Sequence, residues 1–269
     1  MDYNISKPSV FLSQYVKQYW GLENCYPAGN EHIQRIVPNG LFELVFYMDD
    51  KPETTDRQKA ISDSVIITGQ LKSYHDLKVT GNLSLFAIYF LPHGLSMFLN
   101  LPMNELFNQS VPLKSILKDK VNKLEDELST AGSFEKKIII AEDFLIGQIQ
   151  KNVKNYYFER IRRVVSRINQ AKGILKIEDL AAESFLSRKQ FERTFYDFIG
   201  TTPKQFLKTV RFQNSIFEKS QNTAVNFTEI AHRCGYFDQA HMINDFKSLT
   251  GMTPKNYFEK EGVFSDYFG

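Results

Sequence analysis

Apolar residues change their period halfway along this chain. In the first half they gather in short runs, LFELVFYM (41–48), ISDSVIITG (61–69) and LSLFAIYF (83–90), bounded by Asn-Gly, Gly or Pro. Runs of Val, Ile, Phe and Tyr of that length read as β-strands. Asn39-Gly40 and Gly81-Asn82 mark turns, because both residue types tolerate positive φ. The stretch DDKPETTDRQKA (49–60) has almost no apolar side chains and is expected to be an exposed loop. From Leu113 onward the step becomes three and four residues. Ile116, Leu117, Val121, Leu124 and Leu128 predict a helix, and a second is expected from about Ser133 to Gln150. Further on, Ile161, Val164, Val165 and Ile168 predict an amphipathic helix, and a long one follows from Pro203 to about Ser220. Thr202-Pro203 and Thr253-Pro254 each set a capping hydroxyl before a proline at the first helical position, where its missing N–H costs nothing. Asn226 with Glu229 three residues on resembles a capping box before Ile230. The pattern predicts an α+β chain. A β-rich domain with helices is expected at residues 1–152 and an all-α domain at 153–269, with the boundary near 150–156.

The all-α half says the same thing twice. LAAESFLSRKQFERTFYDFIGTTPKQ (180–205) is echoed by IAHRCGYFDQAHMINDFKSLTGMTPKN (230–256). Leu180-Ala181 matches Ile230-Ala231 at an offset of fifty, whereas Phe195, Gly200, Thr202 and Pro203 match Phe246, Gly251, Thr253 and Pro254 at fifty-one. One residue is therefore gained between the first and second helix of the repeat, where turns absorb length changes. Leu180, Phe191, Phe195, Ile230, Met242 and Phe246 are expected to form the two small cores. A duplicated helix–turn–helix is suited to reading two successive stretches of DNA groove.

These residues carry a resemblance to a known family. Leu180-Ala181, Ser187, Phe191-x-Arg193-x-Phe195, Gly200-x-x-Pro203, Ile230-Ala231, Gly235-Tyr236, Met242-x-x-x-Phe246 and Gly251-x-Thr253-Pro254 make residues 160–260 similar to the AraC-type DNA-binding domain. The resemblance implies two helix-turn-helix units joined by a long helix, with recognition helices beginning near Ser187 and Asp238. It places Lys189, Glu192 and Arg193, with Gln239, His241 and Asn244, at base- or phosphate-contacting positions, and Arg188, on the same groove-facing side of its helix, is taken with them as a DNA-binding candidate. The chemistry agrees: Arg can fork onto guanine, and Gln and Asn can pair with adenine. Glu192 has a plain alternative as the solvated partner of a nearby cation, and Arg193 one as an internal brace. Two departures from the family pattern stand out. The second copy has Asn244 where the first has Arg193, which moves electrostatic affinity towards the first reading helix. The first copy has Ser184-Phe185-Leu186 in place of the turn glycine of Cys234-Gly235-Tyr236. A bulky residue at positive φ is strained, so that turn is expected to adopt another geometry. Recognition helices reading one face of DNA would lie roughly 34 Å apart.

Charge supports this division. Residues 156–260 hold 17 Lys+Arg against 11 Asp+Glu, and residues 1–155 hold 16 against 18. The basic half is the repeated half, as a phosphate-facing module requires. The start, MDYNISKPSV, lacks the pattern of a secretory leader, and no apolar run reaches bilayer length, so a cytoplasmic protein with no membrane partner is expected. Cys25 and Cys234 form no disulfide or metal spacing, and His32, His75 and His93 are scattered. No catalytic residue, metal or cofactor is expected.

The first half, with YVKQYWGLEN (15–24), RIVPNGLFELVF (35–46) and FLPHGLSMFLNLPMNELFNQSVPL (90–113), resembles the N-terminal domain that precedes AraC-type helices in some bacterial regulators. That resemblance implies a small barrel or cupin-like sheet followed by helices, with a role in effector binding or dimerisation. Trp20, Phe42, Phe46, Phe86, Tyr89 and Phe90 are candidates for a pocket or, more simply, for core, and Glu43 and Arg35 for a ligand-orienting pair or a surface pair. The expected partners are double-stranded DNA, RNA polymerase, a small-molecule effector and a second copy of the chain. Two rival readings stand beside the regulator: a DNA-associated enzyme using Cys25, and a ligand-sensing module acting through protein partners.

Overall fold

The computed structural model describes residues 2–27, 32–55, 59–61, 63–149, 155–261 and 265–268. Two compact units emerge. The first comprises Met1–Ile36, Leu41–Gly69 and His75–Lys154, and the second Val37–Gly40, Gln70–Tyr74 and Asn155–Gly269. Of the boundary expected near 150–156, residues 150–154 lie outside the described residues.

Among its described residues the first unit holds ten strands: β1 (Asp2–Ser6), β2 (Val16–Tyr26), β3 (His32–Ile36), β4 (Phe42–Tyr47), β5 (Glu53–Thr54), β6 (Lys59–Ala60), β7 (Val65–Thr68), β8 (His75–Val79), β9 (Gly81–Phe90) and β10 (Ser110–Pro112). They pair as a six-stranded sheet in the order β1-β2-β9-β4-β7-β10 and a four-stranded sheet in the order β3-β8-β5-β6. The predicted strands at 41–48, 61–69 and 83–90 correspond to β4, β7 and β9. Along β9, Leu83, Leu85 and Ala87 join Val45 and Val79 on one face. Phe86, on the other, meets Tyr19, Phe46 and Phe134 at ring-centroid distances of 6.0, 6.1 and 5.8 Å. A strand apolar on both faces must be covered on both. The cover on the second face is the helix α3 (Phe134–Ile149), whose Glu142 also accepts a 3.1 Å hydrogen bond from the Tyr19 hydroxyl.

Two expectations fail here. The polar stretch 49–60 contributes β5 and β6 to the second sheet instead of forming a plain loop. Strand pairing uses backbone groups, so two-residue strands need no apolar pattern, and Thr55 adds a 3.1 Å side-chain bond to the Asp76 carbonyl. The helix expected after Leu113 is split into α1 (Leu113–Leu117) and α2 (Lys120–Thr130) by Lys118, whose φ of 52° takes the chain out of the helix.

The second unit is helical: α4 (Asn155–Gln170), α5 (Ile177–Glu183), α6 (Arg188–Ile199), α7 (Pro203–Gln221), α8 (Phe227–Arg233), α9 (Gln239–Thr250) and α10 (Pro254–Lys260). Its starts follow the predicted caps. Thr202 and Thr253 accept from the N–H groups of Gln205 and Asn256, and Asn226 accepts from Glu229 at 2.9 Å. The Glu229 carboxylate does not complete a capping box; it pairs with Arg233 one turn on. Ile161, Val164, Val165 and Ile168 are buried along α4. The long helix α7 serves both repeats. Phe206 meets Phe195 at 5.6 Å in the first, and Phe212 meets Phe246 at 4.9 Å in the second.

Candidate nucleic-acid interface

Each repeat is built from a short helix, a tight turn and a capped second helix. After α5 the N–H of Phe185 donates to the carbonyl of Ala182 at 3.0 Å and that of Leu186 to Ala181 at 3.2 Å. After α8 the N–H of Gly235 donates to His232 at 3.2 Å and that of Tyr236 to Ala231 at 2.9 Å. This is one motif made twice: a helix end closed by a left-handed residue and two reverse hydrogen bonds. Gly235 supplies the left-handed residue at φ 71°, and Phe185 supplies it at φ 53°. The expectation of a different first turn is therefore corrected: Phe185 accepts the strained conformation. The orphan carbonyls of α5 need those two donors, which holds the backbone in place whatever side chain it carries. A Cβ on Gly235 would lie 2.6 Å from Ile174 Cγ1, so the second turn excludes such a side chain.

The two turns then diverge by the extra residue, which the matching hydrogen bonds identify as Phe237, between Tyr236 and the cap Asp238. Ser187 Oγ accepts from the N–H of Gln190 at 3.3 Å, and Asp238 Oδ1 from that of His241 at 2.7 Å. These side chains start α6 and α9 at the predicted positions. Phe191, Phe195, Met242 and Phe246 are fully buried, as are Leu180 and Ile230. With one face fixed inward, Arg193 and Asn244 are left exposed between the buried pairs, while Thr194 and Asp245 beside them are buried.

The strain at Phe185 gives a direct test. An L-residue in the left-handed region costs about 1–2 kcal/mol, and glycine returns about 0.5–1 kcal/mol of that through its looser unfolded chain. Because Phe185 is 86% exposed, its ring contributes little packing to lose. Phe185→Gly should leave stability unchanged or raise it by up to about 1 kcal/mol in urea unfolding. A loss of that size would mean the ring is held by the fold after all.

The seven predicted site residues differ in how free they are. Arg188 is engaged on both sides, with Nη1 at 2.5 Å from Glu178 and Nε at 3.0 Å from Glu192. The hydrogen bond it donates to Glu192 and the charge of Glu178 hold its guanidinium above its ordinary pKa. Glu192 is thus a partner to Arg188, in keeping with its simpler reading. Lys189 and Arg193 are exposed on the same helix. Among the described residues no ion pair occupies Arg193, which removes the support for an internal brace. In the second copy Asn244 is exposed, and Gln239 Oε1 accepts from Thr228 at 2.9 Å. His241 is turned towards its own turn: its Nδ1 accepts the Phe237 N–H at 3.3 Å, and its ring stands edge-on to Tyr236 at 5.3 Å.

One polar residue escaped the sequence reading. Asp245 is buried at the position matching Thr194, with Lys208 Nζ at 3.2 Å and Arg211 Nη2 at 3.7 Å. It ties α9 to α7 beneath the reading surface. Its two cationic partners on α7 lie more than thirty residues upstream, beyond any local spacing, while His241 Nε2 stands 3.9 Å from it one turn earlier on α9.

The remaining candidates resolve as structure. Phe42, Phe46, Phe86, Tyr89 and Phe90 are buried in the strand-bearing unit, and Trp20 is half-buried. Glu43 accepts from Trp20 Nε1 at 3.1 Å, whereas Arg35 forks onto Asp76 at 2.7 and 2.6 Å. Burial pushes the Cys234 thiol up to about 12, so it remains protonated at neutral pH. Among the described residues no three His, Cys, Asp or Glu side chains come together as a metal-ligand set, and no helix is long and apolar enough to cross a membrane.

Comparison with known proteins agrees with this geometry. Residues 180–260 match a helix-turn-helix domain family, and residues 5–112 match a domain of unknown function, DUF6597. A protein of Haemophilus influenzae described as an uncharacterized HTH-type transcriptional regulator is 32% identical over 96 residues, covering 35% of this chain and 31% of that protein. A Bacillus subtilis protein described as the uncharacterized HTH-type transcriptional regulator YdeC is 29% identical over 83 residues, covering 31% of this chain and 28% of its own length. The likeness thus spans less than a third of either relative. Among solved structures, ToxT from Vibrio cholerae is 14% identical over 89% of this chain and 98% of that one, with a TM-score of 0.46. Two copies of one capped helix–turn–helix, matched at residues 180–260, identify the C-terminal part of this chain as an AraC-type helix-turn-helix domain.

Proposed function

We propose that the protein is a sequence-specific DNA-binding transcriptional regulator that reads two successive major-groove segments with α6 and α9. The observation that carries this reading is the repetition of one presentation geometry. Each helix is closed inward by two buried apolar side chains, started by a capping side chain, and left polar outward. Lys189 and Arg193 then supply phosphate and guanine contacts, with Arg188 and Glu192 as a paired flank. Gln239 and Asn244 read bases through their amides, and His241 shapes the approach of α9. The 19 residues of α7 extend about 28 Å, a length compatible with reading heads roughly 34 Å apart.

In this reading residues 1–152 form a sensor or dimerisation domain and residues 153–269 the DNA-binding domain. The protein acts in the cytoplasm as a non-catalytic regulator, responsive to a small-molecule effector and meeting RNA polymerase or a second copy of the chain at the promoter. The description of both relatives as transcriptional regulators supports it. Selection of bound sites from a random duplex library with the full chain, at two salt concentrations, is the test. A two-part motif with half-elements about one helical turn apart is the expected result, with affinity falling linearly in log salt as counterions are released. Salt-sensitive binding without an enriched motif would reduce the claim to nonspecific binding. A mass shift at Cys25 after exposure to alkylated DNA would favour an enzyme instead.

A further inference from the structure

Both repeats carry a phenylalanine for which the fold has no use. Phe185 and Phe237 are each 86% exposed, and neither joins a core. Both stand in the turn that delivers a reading helix: Phe185 two residues before the cap Ser187, Phe237 directly before the cap Asp238. They reach this place by different routes. Phe185 replaces the left-handed glycine of the other copy, and Phe237 is the residue that copy gains. A lone exposed aromatic needs no explanation. A pair placed one in each corresponding turn, the first held at φ 53° with no packing in return, does. Strain kept where the free protein gains nothing is a mark of a functional position.

The surroundings of Phe185 fit an anionic partner. Arg188, Lys189 and Arg193 are exposed on the helix that follows Phe185. Arg160 donates to the Ser184 carbonyl at 3.3 Å, bringing a further cation to the base of the same turn. A single ring set among cations suits a duplex better than the apolar face of a protein, because a duplex offers isolated apolar groups between its phosphates. Residues at the entry of a recognition helix are also the ones nearest the groove edge.

We propose that Phe185 and Phe237 are apolar DNA contacts, each pressed against thymine methyl groups or deoxyribose where its reading helix enters the major groove. This rests on the reading of α6 and α9 as DNA-recognition helices. It adds two specificity-determining residues that lie outside the helices themselves, one for each half-element.

The test uses the full chain in fluorescence anisotropy against three duplexes: the selected site, the same site with uracil for thymine, and a random sequence. The variants are Phe185→Gly, Phe185→Asn and Phe237→Ala. Glycine and asparagine both tolerate the left-handed backbone, so agreement between them separates loss of the ring from a change in the turn. Each variant should lose about fourfold to fifteenfold affinity for the selected site, the size of one or two buried methylene groups, while unfolding at or above the wild-type denaturant midpoint for the Phe185 pair. If uracil weakens wild type and not the variants, thymine methyls are the contact; if uracil changes nothing while the variants still lose affinity, the contact is deoxyribose. Variants that bind the selected site as wild type does overturn the inference and leave the DNA reading standing. A wild type that binds none of the duplexes removes that reading, and the inference with it.

Discussion

Phe246→Ala should cost about 3–5 kcal/mol in urea unfolding, the range for removing a fully buried phenylalanine, and should abolish specific DNA binding with it. Phe246 is completely buried, with the rings of Phe212, Tyr257 and Phe258 at centroid distances of 4.9, 5.8 and 5.7 Å. Those rings belong to α7 and α10, so the side chain is where three helices of the second repeat meet. Typical domains have about 5–15 kcal/mol in total, and a loss of this size consumes much of it. Binding should fail for a geometric reason as well. Met242 and Phe246 lie one turn apart and fix which face of α9 is outward, so a cavity at Phe246 frees the helix to rotate and misplaces Gln239 and Asn244. Phe246→Leu, which keeps most of the volume, should cost about 1–1.5 kcal/mol and retain binding. A cost below about 1 kcal/mol for the alanine variant would show that the ring is not the keystone of this core.

The predictability of the second unit and the opacity of the first have the same cause. Helix caps, left-handed closures and inward faces are local in sequence. Thr202, Asn226 and Thr253 therefore show their capping role within four residues and cap as expected, and Ser187 and Asp238 cap the helices expected to begin near them. Strands gain their partners at long range. The longest strand, β2, alternates imperfectly and went unpredicted, because its apolar residues are sorted by β1 and β9 on either side of it. The pair Arg35–Asp76 spans 41 residues, and no spacing rule reaches that far. At the candidate interface, the residue types and their helix faces were legible. Their internal engagements were not: Arg188 tied to Glu178, Gln239 to Thr228, and His241 to its own turn all depend on how α5 meets α6 and α8 meets α9. Phe185 shows the limit most directly. A steric rule excluded it from a left-handed turn, and the two hydrogen bonds that close α5 outweighed that rule.

The same contrast between free and engaged side chains sets the expected behaviour of Arg193. It is exposed, and among the described residues it has no ion-pair partner, so Arg193→Ala should change stability by no more than about 0.5 kcal/mol. On the selected DNA site the same change should cost about 1–3 kcal/mol, roughly fivefold to 150-fold in affinity. Arg188→Ala is the informative control, because it also releases Glu178 and Glu192 and so disturbs the fold that presents the site. The matching position of the second repeat, Asn244, permits the reverse experiment. Asn244→Arg adds a cation to the reading face and should steepen the dependence of log affinity on log salt by about one phosphate contact, a change in slope near 0.9. If affinity for random duplex rises while affinity for the selected site falls, Asn244 reads a base through an amide that guanidinium cannot reproduce, adenine being the base it fits. If both affinities rise together, the position meets phosphate only, and sequence discrimination in the second half-element must come from Gln239 and the turn before it. An unchanged specific-to-random ratio in Arg193→Ala would assign the same phosphate role to the first repeat, leaving its specificity to Lys189 and the arginine–glutamate pair beside it.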